Sequence, residues 1–482
     1  MRAKYVLIYH ASILVALGGA SAADLPSRKV APVEYVRVCD TYGAGFYWIP
    51  GTDTCLKVGG RVRVDTWYTP AKNAVVHRTT GGGVIAANTF ISSNGVDQFG
   101  WYARGSVMMD ARTQSGWGTV QTVMSLRLMS ASGLANTPPG YSAGAFAGGN
   151  ASTANIDVAY IRFAGFTIGQ TQSSNFIFLP DLSYGSIWSG GFPNGIRQLS
   201  YTATFGAGFS ATLALENPGD VPNSTPINTL GANPFTATAA IPGSVIARLP
   251  NLVGNLRIDQ SWGSAIVSGA VLQNSATFGN PALAAVGNTG PNMRRTGWAV
   301  GAGLRINLPM IAAGDHLYLW TAYGVGATGY VATATMNGNA GRTASFLGGF
   351  LRADRNMTLF CLNAACSVGG AEQARAFNFT AVLTHYWTPI LRSNLVASYG
   401  AITPGTVTRS TAWTQGGLSS ANVLGIMGSL IWSPVRNFDI GFELSYSRLR
   451  QSLPLAVPAG LAALASVNPS NWMGRMRIER TF

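Results

Sequence analysis

Charged residues are scarce in this chain. Lys, Arg, Asp and Glu together make up 10% of its 482 residues, whereas a soluble globular domain carries about 25%. Long apolar runs are missing as well, because no segment after residue 22 approaches the roughly 18 uninterrupted apolar residues of a membrane-spanning helix. With 47% hydrophobic residues, the composition is unusual for a soluble protein, and the missing runs exclude a helical membrane protein.

One other architecture crosses a membrane without long apolar runs. In a closed β-barrel, the backbone N–H and C=O groups of each strand bond to neighbouring strands, and side chains alternate between lipid and interior. The composition therefore predicts an all-β transmembrane barrel.

The N-terminus indicates export. Arg2 and Lys4 are followed by an apolar stretch from Tyr5 to about Leu17, and small residues precede Ala23. This pattern is typical of a signal peptide at residues 1–22. We expect the mature chain to comprise an N-terminal periplasmic or lumen-associated segment, residues 23–55, and a barrel domain, residues 56–482.

Cysteine is also rare. The four cysteines form two local pairs, Cys39 with Cys55 and Cys361 with Cys366. Because an exported chain meets an oxidising compartment, both pairs are predicted to form disulfides. No histidine stands at a spacing typical of a zinc site with them, so we predict neither a metal site nor a cofactor.

Hydropathy alternates with a period of two. From Leu56 to Asp65, apolar residues alternate with polar or charged ones such as Lys57 and Arg61, and the pattern recurs at residues 99–110 and 438–446. In a strand, the two sets face opposite sides. Sixteen candidate strands begin near residues 56, 98, 119, 156, 166, 198, 209, 254, 265, 297, 316, 376, 391, 423, 437 and 472.

The connections between these strands alternate in length. Long segments such as residues 69–97 follow the odd strands, and short ones such as 164–165 follow the even strands. This asymmetry is typical of an antiparallel outer-membrane barrel with long external loops and short periplasmic turns. Six aromatic residues fall near strand ends in the lipid-facing phase, as membrane-interface girdles do: Trp101, Trp298, Trp387, Trp432, Tyr446 and Trp472.

The polar phase supplies charges to the predicted lumen. Its basic members are Lys57, Arg61, Arg63, Arg104, Arg112, Arg127, Arg162, Arg257, Arg305, Arg392, Arg475 and Arg477, and its acidic members are Asp65, Asp110, Glu216, Asp259, Asp439, Glu443 and Glu479. Many of these could serve only to pair around the wall. Because the basic residues of this +14 chain are scattered rather than clustered, we do not expect a nucleic-acid partner.

Two segments carry a family resemblance. Residues 33–60, VEYVRVCDTYGAGFYWIPGTDTCLKVGG, and residues 159–173, AYIRFAGFTIGQTQS, resemble porins of the alphaproteobacterial type, the family of Brucella and rhizobial porins. The C-terminal Phe482 is similar as well. The sequence departs from the family in the loops, chiefly at Thr328–Gly370 with its extra cysteine pair.

The resemblance implies a sixteen-stranded general-diffusion barrel in the bacterial outer membrane, with its third loop folded into the lumen. It also implies a homotrimer surrounded by lipid, passing small hydrophilic solutes and ions. Phe482 would be the terminal aromatic residue that the outer-membrane assembly machinery recognises.

The third long connection is the predicted constriction. Between Thr171 and Ile196 it carries a single charge, Asp181. Its aromatic residues could anchor the loop to the inner wall or contact solutes: Phe176, Phe178, Tyr184, Trp188 and Phe192. Since one acid does not offset a basic wall in a narrow passage, we expect a modest preference for anions.

Two enzyme-like patterns also occur. Residues 324–329 match G-x-G-x-x-G, but we expect no helix after them and no acid about 20 residues on, as a dinucleotide site requires. Residues 140–144 match the G-x-S-x-G elbow within a small-residue loop. The alternatives to a channel are therefore a barrel hydrolase, using Ser142 with His316 or His385, and a purely adhesive or structural barrel. A solute-specific channel is the alternative to a general-diffusion channel.

Overall fold

The structure is a computed structural model. It describes residues 37–70, 72–79, 85–91, 93–95, 97–133, 151–180, 195–221, 227–230, 243–245, 248–278, 292–331, 349–351, 356–361, 369–410, 420–452, 459 and 468–482.

Sixteen strands form the barrel wall. In chain order they are β1 Thr54–Tyr68, β2 Phe99–Ser115, β3 Gly118–Gly133, β4 Ala151–Phe163, β5 Phe166–Thr171, β6 Ile196–Gly206, β7 Phe209–Glu216, β8 Asn251–Gln260, β9 Gly263–Phe278, β10 Asn292–Asn307, β11 His316–Val325, β12 Arg375–Thr388, β13 Leu391–Thr403, β14 Ser420–Val435, β15 Phe438–Ser452 and β16 Ser470–Thr481.

Each strand pairs antiparallel with the next, and β16 pairs with β1 through Arg61↔Thr481 to Tyr68↔Gly474. The ring is therefore closed and leaves no strand edge unpaired, as a membrane barrel requires. The all-β, sixteen-stranded antiparallel fold predicted from the sequence is confirmed, although most strands begin a few residues from the predicted positions.

The connections differ at the two ends of the barrel. At one end the turns comprise residues 116–117, 164–165, 207–208, 261–262, 308–315, 389–390 and 436–437. Ala164, Ala207 and Asn437 have positive φ values of 49°, 45° and 62° there, which is typical of tight hairpin turns. The longer connections leave the other end, and the one between β5 and β6, residues 172–195, is called loop 3 below.

Short elements accompany the barrel wall. Tyr47–Trp48 pairs with β1, and Gly243–Val245 pairs with β9. Two small sheets join different connections: one comprises Ala74–Thr79, Ile85–Ile91 and Gly349–Leu351, and the other Ile227–Leu230, Met357–Cys361 and Gly369–Gln373. Helices α1 Thr328–Val331 and α2 Thr406–Ser410 follow β11 and β13, and 3₁₀ turns occur at Asp40–Tyr42, Ser93–Gly95 and Pro218–Asp220. Among the described helices, none is long and apolar enough to cross a membrane.

The alternation in sequence separates outside from inside. On β15, Phe442 and Leu444 are exposed on the outer surface, whereas Glu443 between them is fully buried. The predicted girdle tryptophans, Trp101, Trp298, Trp387, Trp432 and Trp472, are all exposed. Apolar side chains therefore cover the outside of the barrel.

The inner face is less uniformly polar than period-two alternation predicts. Inward-facing Val382 of β12, Val396 of β13 and Met427 of β14 are buried in an apolar cluster that extends to the root of loop 3. This part of the expectation was wrong. One side of the lumen packs apolar side chains against each other, and the charges gather elsewhere.

Candidate functional site

Six arginines line one side of the lumen. They are Arg61 and Arg63 of β1, Arg104 of β2, Arg127 of β3, and Arg475 and Arg477 of β16. Strand register brings them together, since Arg63 lies opposite Arg104 and Asp65 lies opposite Arg477. We call this group the arginine cluster.

Acidic side chains from the same strands hold the arginine cluster in place. Asp65 accepts a hydrogen bond from Nε of Arg477 at 2.5 Å, and Glu443 accepts one from Nη2 of Arg475 at 2.7 Å. Both carboxylates are buried. Glu479 pairs with Arg63 and lies 3.8 Å from Nη1 of Arg61. These contacts fix the guanidinium groups against the wall, because a buried charge is stable only when paired.

A fourth acid, Asp157, reaches the arginine cluster through a β-bulge. Between β3 and β4, Ser125 pairs with Val158 but the next pair is Leu126 with Ile156, so Asp157 is the extra residue of the bulge. Its carboxylate lies 2.6 Å from Nη2 of Arg104 and also pairs with Arg127. Period-two reasoning missed this residue, because a bulge reverses which side chains face inward.

The arginine cluster carries net positive charge. Six guanidinium groups face the four carboxylates of Asp65, Asp157, Glu443 and Glu479. Two positive charges therefore remain within this group. They face the lumen, and low-dielectric walls strengthen the field of such charges.

Other predicted lumen charges lie towards the short-turn end. Asp110 accepts hydrogen bonds from Arg112 at 2.8 Å and from Gln121 at 3.0 Å. Arg392 pairs with Asp439 at 2.6 Å. Arg162 stacks over the ring of Tyr160 at 4.8 Å. Nine of the twelve predicted basic residues form an ion pair, which places wall pairing ahead of free charge for most of them.

The N-terminal segment lies beside this end of the barrel. The predicted disulfide between Cys39 and Cys55 is present. It holds the ring of Phe46, over which the guanidinium of Arg112 lies at 4.8 Å and the ammonium of Lys57 at 5.7 Å. Cys55 itself belongs to β1. Cys366 lies outside the described residues, so the second predicted disulfide stays a prediction.

The root of loop 3 packs against the opposite wall. In a ring of sixteen strands, β9 and β10 lie half a turn away from β1 and β2. Phe176 meets Trp320 of β11 edge to face, with ring centroids 5.8 Å apart, and Phe178 stacks on Tyr318 at 5.2 Å. Both phenylalanines are buried. The root of the loop therefore lies inside the lumen, and these two aromatic side chains attach it to the wall.

Two glycines make room for this contact. A Cβ at Gly301 of β10 would lie 2.6 Å from the Trp320 ring, and one at Gly303 would lie 2.5 Å from Cδ1 of Phe178. Neither distance is compatible with a side chain. Small residues on β10 thus allow the loop to approach the backbone of the wall.

A buried carboxylate joins loop 3 to a second inward segment. Glu216, at the end of β7, accepts hydrogen bonds from Ser174 Oγ at 2.7 Å, the Asn175 backbone N–H at 2.8 Å and the Tyr330 hydroxyl at 3.1 Å. Tyr330 belongs to α1, whose four residues are buried. The lumen therefore holds parts of two connections, and sequence reasoning anticipated only the first.

Helix α1 corrects one expectation about residues 324–329. A helix does begin here, at Thr328 within this G-x-G-x-x-G pattern, and it ends at Val331. It makes a single turn, and its residues are buried against the ring of Phe176 and the side chain of Asn378. The space at the end of the pattern is thus filled by the protein's own side chains.

Several predicted residues lie outside the described residues: Asp181, Tyr184, Trp188 and Phe192 of loop 3, and Ser142 of the elbow pattern. His316 lines the lumen wall, while His385 faces outward beside Asp315 and Trp387. Within the described ranges, no group of three or more His, Cys, Asp or Glu side chains is placed to hold a metal ion.

The C-terminal residue completes the barrel closure. The backbone N–H of Phe482 donates to Gly60 O at 3.0 Å, and Gly60 N–H donates to Phe482 O at 2.9 Å. A Cβ at Gly60 would lie 2.6 Å from the Phe482 ring. The terminal ring thus lies across the backbone of β1, at the end of the barrel that carries the short turns.

A closed sixteen-stranded barrel with an apolar exterior and charged residues along its inner wall defines an outer-membrane porin. Residues 24–469 match the family model described as the porin subfamily. The chain belongs to this family and is an integral, multi-pass β-barrel protein of the outer membrane.

Individual porins and a solved outer-membrane channel are also similar to this chain. The chain is 33% identical to porin Omp2b of Brucella suis biovar 1 (strain 1330) over 282 residues, which cover 57% of this chain and 67% of the relative. It is 32% identical to porin Omp2a of Brucella melitensis over 290 residues, with the same coverage. The outer-membrane channel DcaP of Acinetobacter baumannii superposes with a TM-score of 0.55 at 16% identity, covering 90% of this chain and 99% of that one. That likeness supports the fold alone.

Proposed function

We propose that this porin is a general-diffusion channel for small hydrophilic solutes and ions, with a modest preference for anions. The observation that carries the proposal is the arginine cluster, in which six guanidinium groups meet four carboxylates on one side of the lumen. The surplus positive charge raises the local concentration of anions and lowers that of cations.

The pairing on the wall explains why the preference is modest. Most lumen arginines share their charge with a carboxylate on the same or a neighbouring strand, as Arg475 does with Glu443. A paired guanidinium presents a dipole rather than a full charge to a passing ion. Solutes are therefore sorted mainly by size and weakly by charge.

Reconstitution into a planar bilayer tests this function. With a tenfold gradient of KCl across the membrane, we expect open channels whose reversal potential has the sign of anion permeation. A cation-selective reversal potential would contradict the anion preference. A barrel closed to ions would favour an adhesive or structural role instead.

We also propose a homotrimer embedded in lipid, with Phe482 as the residue recognised by the assembly machinery. The resemblance to family porins supports both, and the exposed apolar exterior supports the embedding in lipid. Native mass spectrometry of the detergent-extracted protein is expected to give the mass of three chains. A monomeric mass across several mild detergents would contradict the trimer.

The hydrolase alternative predicts a different result. A barrel hydrolase using Ser142 would cleave a chromogenic ester and lose that activity in Ser142→Ala. We expect no esterase activity in the parent and full conductance in the variant. His385 argues against the hydrolase as well, since its ring faces outward and its Nδ1 lies 2.6 Å from Asp315.

A further inference from the structure

A cavity separates the root of loop 3 from the inner wall of β8–β11. Its volume is about 310 Å³, at the lower end of the range typical of small-molecule sites. Ile177, Phe178 and Leu179 line it from the loop, and Arg257 and Arg305 line it from the wall. One side of the cavity is thus apolar and the other cationic.

Arg305 differs from Arg257 in that no counter-charge accompanies it among the described residues. It lies on β10, in register with Ser264 of β9 and Tyr318 of β11. Among the described residues, no carboxylate pairs with it, and its Nε is buried without a hydrogen-bond partner. A buried guanidinium N–H without an acceptor is unfavourable, so an anionic acceptor at this point would be stabilised.

The nearby carboxylate of Asp259 does not serve as an acceptor for Arg305. Asp259 accepts hydrogen bonds from Nε and Nη2 of Arg257, both at 2.7 Å, and from Ser264 Oγ at 2.6 Å. Its charge is therefore balanced by Arg257. The same Arg257 lies over the Phe178 ring at 5.4 Å, and Tyr318 stacks on that ring as well, so the exposed apolar side chain of the cavity is Leu179. The positive charge of Arg305 remains.

A second cavity connects the first with the end of the barrel that carries the short turns. It has a volume of about 580 Å³, is lined by residues 207–208, 259–261 and 263–264, and shares Ser264 and Arg305 with the first. The two cavities are therefore contiguous at Arg305. A solute that enters the lumen from the end with the short turns meets Arg305 before it meets loop 3.

We propose that the cavity beneath the root of loop 3 binds small aromatic carboxylates. The carboxylate pairs with the guanidinium of Arg305, whose planar donors match its two oxygens, and the ring lies against the apolar side chains of Ile177 and Leu179. The inference rests on the proposed function, because the ligand reaches the site through the lumen. Flux of such acids would then saturate, whereas flux of chloride would not.

Calorimetric titration of the folded, detergent-solubilised protein with benzoate tests the site directly. We expect saturable binding that becomes about tenfold weaker or more in Arg305→Gln, since a charge-assisted hydrogen bond is typically worth at least that much. Arg162→Gln is the matched control. It removes one lumen cation that, among the described residues, forms no ion pair, and it should leave the affinity for benzoate unchanged.

Three results would overturn the proposal. They are the absence of saturable binding to the parent, equal weakening in Arg162→Gln, and equal affinity for benzamide, which has the same ring without the charge. If Arg305→Gln does not give a barrel with heat-modifiable migration, Arg305→Lys serves instead. It keeps the charge but loses the two-pronged donor, so weaker benzoate binding is expected and unchanged binding would contradict the role of Arg305.

Bilayer recordings separate this inference from the general function. If chloride and benzoate currents both rise linearly with concentration, the channel function stands and the site fails. If the channel is closed to ions while benzoate binds as expected, the site stands and the proposed diffusion function fails.

Discussion

At the scale of single residues, the electric field in the lumen depends on which charged side chains are paired. Arg104 and Arg127 both depend on one carboxylate, Asp157, and all three side chains are at most 15% exposed. A formal count of basic and acidic residues therefore overstates the field that an ion experiences. The field in the lumen depends on the charge that is left after pairing, and amino-acid substitutions can change that charge.

Asp157→Asn should make the channel more anion-preferring. The change leaves two guanidinium groups without their shared counter-charge and adds one net positive charge to the arginine cluster. At about 8 Å in a water-like dielectric, one charge changes the energy of an ion by roughly 0.5 kcal/mol, or about twofold in local concentration. The reversal potential in a KCl gradient measures this shift.

Asp97→Asn provides the control. It makes the same change in charge at an exposed position just before β2, outside the arginine cluster. A shift as large as that of Asp157→Asn would mean that net charge alone, rather than charge placed in the lumen, governs selectivity.

Gly303→Val should lower the single-channel conductance. The new side chain would overlap Phe178, so the root of loop 3 must move from the wall towards the lumen axis, and overpacking of this kind costs about 1–3 kcal/mol. Gly269→Val is the control, because a Cβ there meets nothing within 4 Å. Unchanged conductance in Gly303→Val would show that Phe178 does not hold the loop.

At the scale of single elements, most strand pairs of the barrel are local in sequence, and one is not. Fifteen hairpin pairs need only neighbouring strands, but the pairing of β1 with β16 joins the two ends of the chain, supported by Phe482 against Gly60. The N-terminal segment adds a second local unit, which its disulfide holds beside Arg112.

Deletion of Phe482 should separate assembly from stability. If the ring is recognised during insertion, cells should hold much less of the variant in the outer membrane, while purified protein refolded in detergent should still give a heat-modifiable barrel. Ile478→Ala, which removes another outward apolar side chain of the same strand, is expected to assemble normally. Equal loss in both variants would indicate general destabilisation instead.

Removal of the Cys39–Cys55 disulfide should loosen only the N-terminal segment. The bond closes a loop with a sequence separation of 16, and a loop of about that length gains roughly 3 kcal/mol from the cross-link. In the double variant Cys39→Ser with Cys55→Ser, limited proteolysis should cut before β1 much faster, with the melting temperature of the barrel unchanged. Barrel melting at a clearly lower temperature would show that the segment supports the wall.

At the scale of the whole molecule, charge is distributed unequally around the ring. The arginine cluster lies on β1–β3 and β16, while loop 3 and α1 pack on the wall that includes β10 and β11. The passage is therefore bordered by a cationic wall on one side and a packed loop root on the other.

The anion preference should fade as salt rises. The Debye length falls from about 30 Å at 0.01 M to about 3 Å at 1 M, so the surplus charge acts across the lumen only in dilute salt. Reversal potentials recorded at a constant concentration ratio but increasing mean KCl should approach zero selectivity. A preference that is independent of salt would indicate a dehydrated binding site rather than a diffuse field.

The sequence by itself determined the barrel. Alternation such as Phe442-Glu443-Leu444 assigns each side chain to lipid or lumen, because the period of a strand is two, and alternating long and short connections set the strand count. Both are local properties of a chain. The partners of Cys39 and Cys55 could also be predicted, since the two residues are near in sequence.

Only the tertiary structure decided which charges remain uncompensated. The bulge at Asp157 reverses the inward phase, the docking of Phe178 depends on Gly303 across the ring, and the link from Glu216 to Tyr330 joins residues far apart in sequence. Such contacts depend on how sixteen strands close in space. Hydropathy along one strand carries no information about them.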